Sequence, residues 1–191
     1  QLVLEVLQAL CEGHNVRMQY LLREQTANRI SVDLISEVNE LLIVIESEID
    51  GTNYEQAHAC IDALTEFTQG NIDPATGQAG ISQLLLDSKL IEVLDRLVQR
   101  RSIAGVLDGR SAALRTSLAK LLMALLEGTE REAEQRFLLR LDLMGIARVC
   151  GSICMEACGV KAFSDATDGP AGSISDASKA TAAAAAGGAL A

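Results

Sequence analysis

Apolar residues recur at helical spacing along most of this chain, and this periodicity constrains the fold more than any other feature. The first such stripe is Val3, Val6, Leu7, Leu10 and Cys11, which would lie on one face of a helix. Only two prolines occur in 191 residues, and aromatic residues make up 3%. A β-sandwich or barrel needs β-branched and aromatic strands with frequent turn residues. The pattern therefore predicts an all-α protein.

Short breaks rich in glycine, asparagine and aspartate separate the stripes, and these residue types favour turns. We expect helices to begin at Ser31, at Asn53, at Ser82 or Ser88, at Thr129 and at Asp142. The expected apolar faces after the first are Met18, Leu21, Leu22; Ile35, Val38, Leu41, Leu42, Ile45, Ile49; Ala57, Cys60, Ile61, Leu64, Phe67; Leu90, Leu94, Leu97, Val98; Leu114, Leu118, Leu121, Leu122, Leu125; Phe137, Leu138; and Leu143, Ile146, Ala147, Cys150.

This organisation predicts about seven or eight antiparallel amphipathic helices, stacked as an armadillo-like helical-repeat array over residues 1–158. From residue 159 the composition changes to glycine, serine and aspartate, with a run of five alanines at 182–186. Few residues in this part can anchor a core. We expect residues 159–191 to be a low-complexity, disordered tail or linker.

The charge of the chain argues against nucleic-acid binding. Sixteen basic residues against 26 acidic ones give a net charge of −10, whereas affinity for a phosphate backbone depends on positive side chains. The longest strongly apolar runs, such as residues 41–45, are far shorter than the roughly 20 residues of a membrane-spanning helix. We expect no nucleic-acid partner, no membrane span in this segment and no signal peptide before Leu2.

The cysteines are predicted to be structural. Their number is odd, with Cys11, Cys60, Cys150, Cys154 and Cys158, which favours reduced, buried thiols in the cytosol over disulfides. The last three recur every four residues and would share one side of a helix. A zinc site needs four converging ligands, and no histidine lies near in sequence. We therefore expect small buried thiols and no metal.

Two histidines are the remaining candidates for catalysis. His14 lies close in sequence to Cys11, but Gly13 breaks the helix that would place both on one face. We expect His14 to be a structural residue that bonds the backbone at a helix junction, and His58 to lie at the surface of a helix. The chain has no glycine-rich phosphate loop. The sequence thus predicts no catalytic, cofactor-binding or metal-binding residues, and no enzyme.

Three segments together resemble a known family. We call them the first, second and third motifs. The first motif is Leu-Cys-Glu-Gly-His-Asn at residues 10–15, continuing through Met18-Gln19 to Gln25; the second is residues 64–71, Leu-Thr-Glu-Phe-Thr-Gln-Gly-Asn; and the third runs from Leu114 through Ala-Lys-Leu-Leu at 119–122 to Glu127. In this order they are similar to the RIH-associated domain of inositol trisphosphate receptors and ryanodine receptors, over roughly residues 2–150.

The resemblance implies a cytosolic structural and regulatory module of a large, tetrameric, ligand-gated calcium-release channel of the endoplasmic reticulum. Such a module lies between the ligand-binding region and the pore, contacts neighbouring domains or subunits, and relays ligand-induced movement. The basic clusters and selectivity filter that such channels use elsewhere have no counterpart here, so no ligand-binding residue is transferred. The alternative is an independent helical-repeat scaffold that binds partner proteins and has no pore.

Overall fold

The computed structural model describes residues 1–72, 80–100, 103–127, 129 and 131–157. These residues contain nine α-helices and no strand, which confirms the all-α prediction. The helices are α1 (Leu2–Cys11), α2 (Val16–Arg23), α3 (Leu34–Glu46), α4 (Tyr54–Thr68), α5 (Gly80–Leu86), α6 (Leu90–Gln99), α7 (Asp108–Leu126), α8 (Arg131–Arg140) and α9 (Leu143–Ala157). The stacking of these helices as an armadillo-like repeat array stays a prediction.

Contacts divide the chain into a compact unit, Gln1–Ile153, and a second unit, Cys154–Ala191. Of the second unit the structure describes only residues 154–157, the end of α9. The tail predicted at residues 159–191 lies outside the described residues. A domain boundary at residue 158 therefore remains a prediction.

The expected count of seven or eight helices is too low for the described residues because one predicted helix is two. The stretch that begins at Ser82 or Ser88 is divided between α5 and α6. The Ser88 hydroxyl donates to the Leu85 carbonyl at 2.7 Å and accepts from the Leu90 backbone N–H at 3.1 Å. Ser88 thus ends one helix and begins the next, which agrees with the preference of serine for helix ends.

One predicted helix start needs correction, and a second is confirmed in position but without the expected cap bond. Asp33, not Ser31, caps α3: its Oδ1 accepts the backbone N–H groups of Ile35 and Ser36 at 3.1 and 3.0 Å. A carboxylate at this position is also favoured by the helix dipole. Asn53 occupies the N-cap position of α4, but its side chain accepts from the Asp50 backbone N–H at 2.9 Å and makes no cap bond to the helix.

Other expected helix starts have different outcomes. The start predicted at Asp142 is confirmed, since its carboxylate accepts the Gly145 backbone N–H at 2.8 Å. Thr129 precedes α8 and donates its hydroxyl to the Leu126 carbonyl at 2.9 Å. A carboxylate or hydroxyl placed in this way satisfies backbone groups that a helix end leaves unpaired.

The core is centred on α4, which packs most extensively against α7, α1 and α3. The predicted α4 face is confirmed, because Ala57, Cys60, Ile61, Leu64 and Phe67 are all fully buried. The predicted faces of α3, α6 and α7 also face the core, with Leu41, Ile45, Val98 and Leu122 half-buried at their edges. α4 is thus the central helix, against which α1, α3 and α7 pack.

The predicted face of α1 is partly wrong. Leu4 and Cys11 are buried, whereas Val3, Val6 and Leu10 are 70%, 51% and 42% exposed. α1 is apolar on more than one side, and periodicity alone does not show which of those sides another helix covers. The stripe that the sequence assigned to the core is therefore largely an outer surface.

The predicted faces of α8 and α9 need the same correction. In α8 Phe137 is buried as expected, but Leu138 is 46% exposed. In α9 the buried positions are Gly145 and Val149, and Leu143, Ala147 and Cys150 are exposed. At Gly145 the helix comes close to other polar side chains, since a Cβ atom there would lie 2.4 Å from the side-chain ends of Gln99 on α6 and Asp142.

Candidate functional site

A tight turn after α4 forms the centre of the candidate site. Gly70 has φ of +63°, a left-handed conformation that glycine adopts without steric cost. The turn is closed by the Asn71 backbone N–H, which donates to the Thr68 carbonyl at 3.2 Å. Gly70 thus ends α4, and the turn places the second motif at a sharp change of chain direction.

A buried glutamine of the first motif holds this turn. Gln19 of α2 is fully buried, and its Nε2 donates to the carbonyls of Glu66 and Gln69 at 2.8 and 2.9 Å. Its Oε1 accepts from Asn71 Nδ2 at 3.0 Å. Asn71 Oδ1 in turn accepts from the Ile81 backbone N–H at 3.1 Å. One chain of hydrogen bonds thus joins α2, the end of α4 and the start of α5.

His14 packs on the other side of the same turn. It has φ of +59° in the connection between α1 and α2, and a Cβ atom on Gly70 would lie 2.7 Å from the His14 Nδ1 atom. The structural role predicted for His14 agrees with this packing. Within the described residues, however, the expected hydrogen bond from its ring to the backbone is not found.

The third motif reaches the turn from α7. Glu127 follows the last residue of α7, and its Oε2 accepts the Gly70 backbone N–H at 3.1 Å. That N–H and the Gln69 carbonyl belong to one peptide group, so Gln19 and Glu127 bind the same peptide unit from opposite sides. We call the set of His14, Gln19, Gln69, Gly70, Asn71 and Glu127 the motif junction. All three motifs contribute to it.

A polar groove adjoins the motif junction. α1 and α7 both pack on α4 but hardly on each other, which leaves a cavity of about 400 Å³ lined by Gln8, Asp62, Thr65, Glu66, Gln69, Ser117 and Lys120. Burial raises the pKa of the Glu66 carboxyl, and the nearby charges of Glu12 and Asp62 raise it further while His14 lowers it. The α4 side of the groove is therefore acidic.

One cluster in this region resembles a hydrolase triad in composition only. Ser117 Oγ lies 3.0 Å from His58 Nε2, and the Asp62 carboxylate lies 3.8 Å from that same nitrogen. In a catalytic triad the carboxylate bonds the opposite nitrogen, Nδ1, and so orients the ring. His58 instead stacks on Tyr54 with ring centroids 5.7 Å apart. As predicted, His58 is partly exposed on its helix. Since Ser117 and Asp62 both lie at its Nε2 atom, the three residues do not have the arrangement of a catalytic triad.

The described residues offer neither a metal site nor a membrane span. They contain no group of three or more histidine, cysteine, aspartate or glutamate side chains that could hold a metal ion. Among the helices of the same residues, none has both the length and the apolar character needed to cross a bilayer.

The cysteines divide into two classes, and one class contradicts the sequence prediction. Cys11 and Cys60 are fully buried, whereas Cys150 and Cys154 are exposed; Cys158 lies outside the described residues. Cys150 was predicted to be buried on a face that α9 turns outward. Burial raises the pKa of Cys60 to about 11, and burial together with the nearby Glu66 charge raises that of Cys11 to about 11.

We expect thiol labelling to separate these classes. In a Cys158→Ser variant at pH 8, iodoacetamide should modify Cys150 and Cys154 at least tenfold faster than Cys11 and Cys60, because the thiolate is the nucleophile and both buried thiols stay protonated. Mass spectrometry of digested samples gives the rate for each cysteine. Cys60 labelling as fast as Cys150 in the folded protein would contradict the packing of α4.

Two groups of ion pairs outside the motif junction escaped sequence analysis. The carboxylate of Glu46, buried at the end of α3, accepts from Arg96 at 2.7 and 3.0 Å and from Arg100 at 3.4 Å. Arg140 of α8 binds the Glu92 carboxylate at 2.7 and 2.9 Å. These partners are about 50 residues apart in sequence, so no local spacing indicates them.

Comparison with known proteins identifies the family. Residues 1–98 match the family model described as RyR and IP3R Homology associated, and these residues include the first two motifs. The chain belongs to this family. No curated protein sequence matches the chain. The match ends before the third motif, which was part of the predicted resemblance.

The motif junction connects the matched and unmatched parts of this RyR and IP3R Homology associated chain. Five of its six residues lie within the matched residues, and Glu127 lies outside them. The hydrogen bond from the Gly70 N–H to Glu127 therefore links the family segment to α7. The first and second motifs are in direct contact, since Gln19 of the first binds Gln69 and Asn71 of the second.

Substitution of Gly70 tests the turn. We expect Gly70→Ala to lower the free energy of unfolding by about 1–3 kcal/mol, because the residue has a left-handed conformation and its new methyl group would overlap the His14 ring. Urea denaturation followed by circular dichroism measures this change.

Two other glycines serve as controls for Gly70. Gly13 also has positive φ but open space around it, so Gly13→Ala should cost only the conformational term of about 1–2 kcal/mol. Gly109 lies in α7 with nothing near it, so Gly109→Ala should be neutral or stabilising by up to about 1 kcal/mol. A Gly70→Ala variant as stable as Gly109→Ala would contradict the described turn.

Proposed function

We propose that this chain is a structural and regulatory module of an intracellular calcium-release channel related to inositol trisphosphate and ryanodine receptors. It would act on the cytosolic face of the endoplasmic reticulum membrane, within a larger, tetrameric membrane protein, and relay ligand-induced movement toward the pore. Membership of the RyR and IP3R Homology associated family supports this proposal. No catalytic, cofactor or metal role is proposed for the segment.

One observation supports the relay more than any other. The peptide group between Gln69 and Gly70 is bound by Gln19 of α2 through its carbonyl and by Glu127 after α7 through its N–H. A displacement of α7 relative to α2 must therefore move this peptide or break one of two hydrogen bonds. The Gln19 side chain is buried and Glu127 is exposed, so the connection runs from the interior to the surface. A relay needs a connection of this kind between elements that move together.

The experiment uses the full-length protein that contains this segment. We expect Gln19→Leu to leave inositol trisphosphate affinity within twofold of wild type and to reduce calcium release at saturating ligand at least fivefold. The matched control is Gln83→Leu, because among the described residues the Gln83 amide bonds the carboxylate of Asp87 at the surface. Binding and release are measured on the same membrane vesicles with radiolabelled ligand and a calcium dye.

Retained binding reports on the ligand-binding region, and circular dichroism of the 191-residue chain with Gln19→Leu shows whether the module itself stays folded. With both retained, loss of release reports on coupling. Full release by Gln19→Leu, or equal losses in Gln19→Leu and Gln83→Leu, would contradict the relay. Glu127→Gln provides a milder variant of the same peptide contact and should give an intermediate reduction in release, since a neutral acceptor forms a weaker hydrogen bond than a carboxylate.

The alternative is an independent helical-repeat scaffold without a pore. The exposed apolar residues of α1 favour it, because an apolar surface patch marks an interaction site. Sequencing the complete transcript separates the two proposals. About six hydrophobic spans downstream, with a filter-like loop, would support the channel, and a reading frame that ends without them would support the scaffold.

A further inference from the structure

The outward face of α1 is a continuous apolar surface. Leu2, Val3, Val6 and Leu10 are 73%, 70%, 51% and 42% exposed. At 3.6 residues per turn these four side chains fall within an arc of about 100°. The arc borders the side of α1 that packs on the core through Leu4, Leu7 and Cys11, so the apolar surface continues from the core into solvent.

The opposite border of this face is acidic. Glu5 of α1 and Glu12, the residue that follows α1, are both exposed, and α1 contains no basic residue. Glu12 is close enough to Glu66 of α4 to raise the pKa of its carboxyl, after the larger effect of burial. A partner that covers the apolar face therefore meets a row of negative charge along one side.

This charge pattern distinguishes between occupants. A second copy of α1 would bring its own Glu5 and Glu12 to the interface with no basic residue on either helix, and like charges at an interface are repulsive. A partner helix with basic side chains along one flank would pair with the same carboxylates. The spacing of Val3, Val6 and Leu10 also matches the i, i+3, i+7 anchors by which helices recognise one another.

We propose that the outer face of α1 binds an amphipathic helix that has an apolar stripe and a flank of lysine or arginine residues. The apolar side chains give the binding free energy, and Glu5 and Glu12 fix the orientation of the partner. The proposal concerns the face itself and does not depend on the relay, because it holds for a channel module and for a scaffold alike.

The test uses the full 191-residue chain and a fluorescent 14-residue helical peptide of leucine and lysine with a single apolar stripe. Fluorescence anisotropy measures its affinity. We expect Val6→Glu to weaken binding at least tenfold and the double variant Glu5→Lys/Glu12→Lys to weaken it at least threefold. A matched peptide with glutamate in place of every lysine should bind wild type at least tenfold more weakly.

α3 offers matched control variants, since Val44 is 70% exposed and Glu37 and Glu40 are exposed without an apolar stripe between them. Val44→Glu and Glu37→Lys/Glu40→Lys should each change the affinity less than twofold. Circular dichroism confirms that every variant compared is folded.

Three results would overturn the proposal. The first is an equal loss of peptide binding in Val44→Glu and Val6→Glu, and the second is equal binding of the lysine and glutamate peptides. The third is that the outer face of α1 binds a second copy of the chain or a lipid surface. Sedimentation would reveal a wild-type dimer that Val6→Glu dissociates, and flotation would reveal binding to phosphatidylcholine vesicles that the same substitution abolishes.

Discussion

Leu64→Ala and Leu121→Ala are each expected to lower the free energy of unfolding by about 2–5 kcal/mol. Both side chains are fully buried, Leu64 on α4 and Leu121 on α7, and these two helices form the most extensive contact in the core. Truncation removes apolar atoms from the interior and leaves a cavity that close-packed neighbours fill only partly. Urea denaturation monitored by circular dichroism gives the change directly.

Leu139→Ala is the matched control for these core substitutions. Leu139 lies on α8 and is 87% exposed, so its truncation should change the free energy of unfolding by no more than about 0.5 kcal/mol. If Leu64→Ala and Leu139→Ala had equal effects, the assignment of the α4 face to the core would be wrong.

Gln19→Leu is expected to cost about 2–4 kcal/mol although it keeps the volume of the side chain and adds an apolar group to the interior. The substitution leaves two half-buried carbonyls, those of Glu66 and Gln69, and the buried Asn71 side-chain amide without their partner. Each unsatisfied buried polar group costs about 1–3 kcal/mol, and the apolar gain offsets part of the sum. The same denaturation experiment measures the loss.

Gln83→Leu controls for the change of residue type, because the Gln83 amide bonds the Asp87 carboxylate at the surface of α5. It should change stability by less than about 0.5 kcal/mol. A Gln19→Leu variant that is as stable as wild type would show that Gln19 does not hold the turn.

The faces of α4 and α7 could be predicted from the sequence because each of these helices packs against several neighbours, so the apolar residues at helical spacing are covered. Leu64 and Phe67 of α4, and Leu118 and Leu121 of α7, are buried as expected. The faces of α1 and α9 could not, since those helices are apolar on more than one side. Periodicity locates apolar residues, whereas the packing of neighbouring helices decides which of them are covered.

The motif junction shows a different limit of sequence reasoning. The resemblance identified its segments, but nothing local indicates that Gln19 is buried, because a glutamine on a helix is ordinarily exposed. Its partners Gln69 and Asn71 are about 50 residues away. The same separation hid the pairing of Glu46 with Arg96. Contacts between residues so far apart in sequence depend on which helices pack against one another in the fold.

The central claim is that one peptide group connects α2 to α7, and a double-mutant cycle between Gln19→Leu and Glu127→Gln tests it most directly. The two side chains bind the carbonyl and the N–H of the Gln69–Gly70 peptide unit. Because they share this partner, we predict a coupling free energy of at least about 0.5 kcal/mol in urea denaturation. Additivity of the two single substitutions within about 0.3 kcal/mol would contradict the connection.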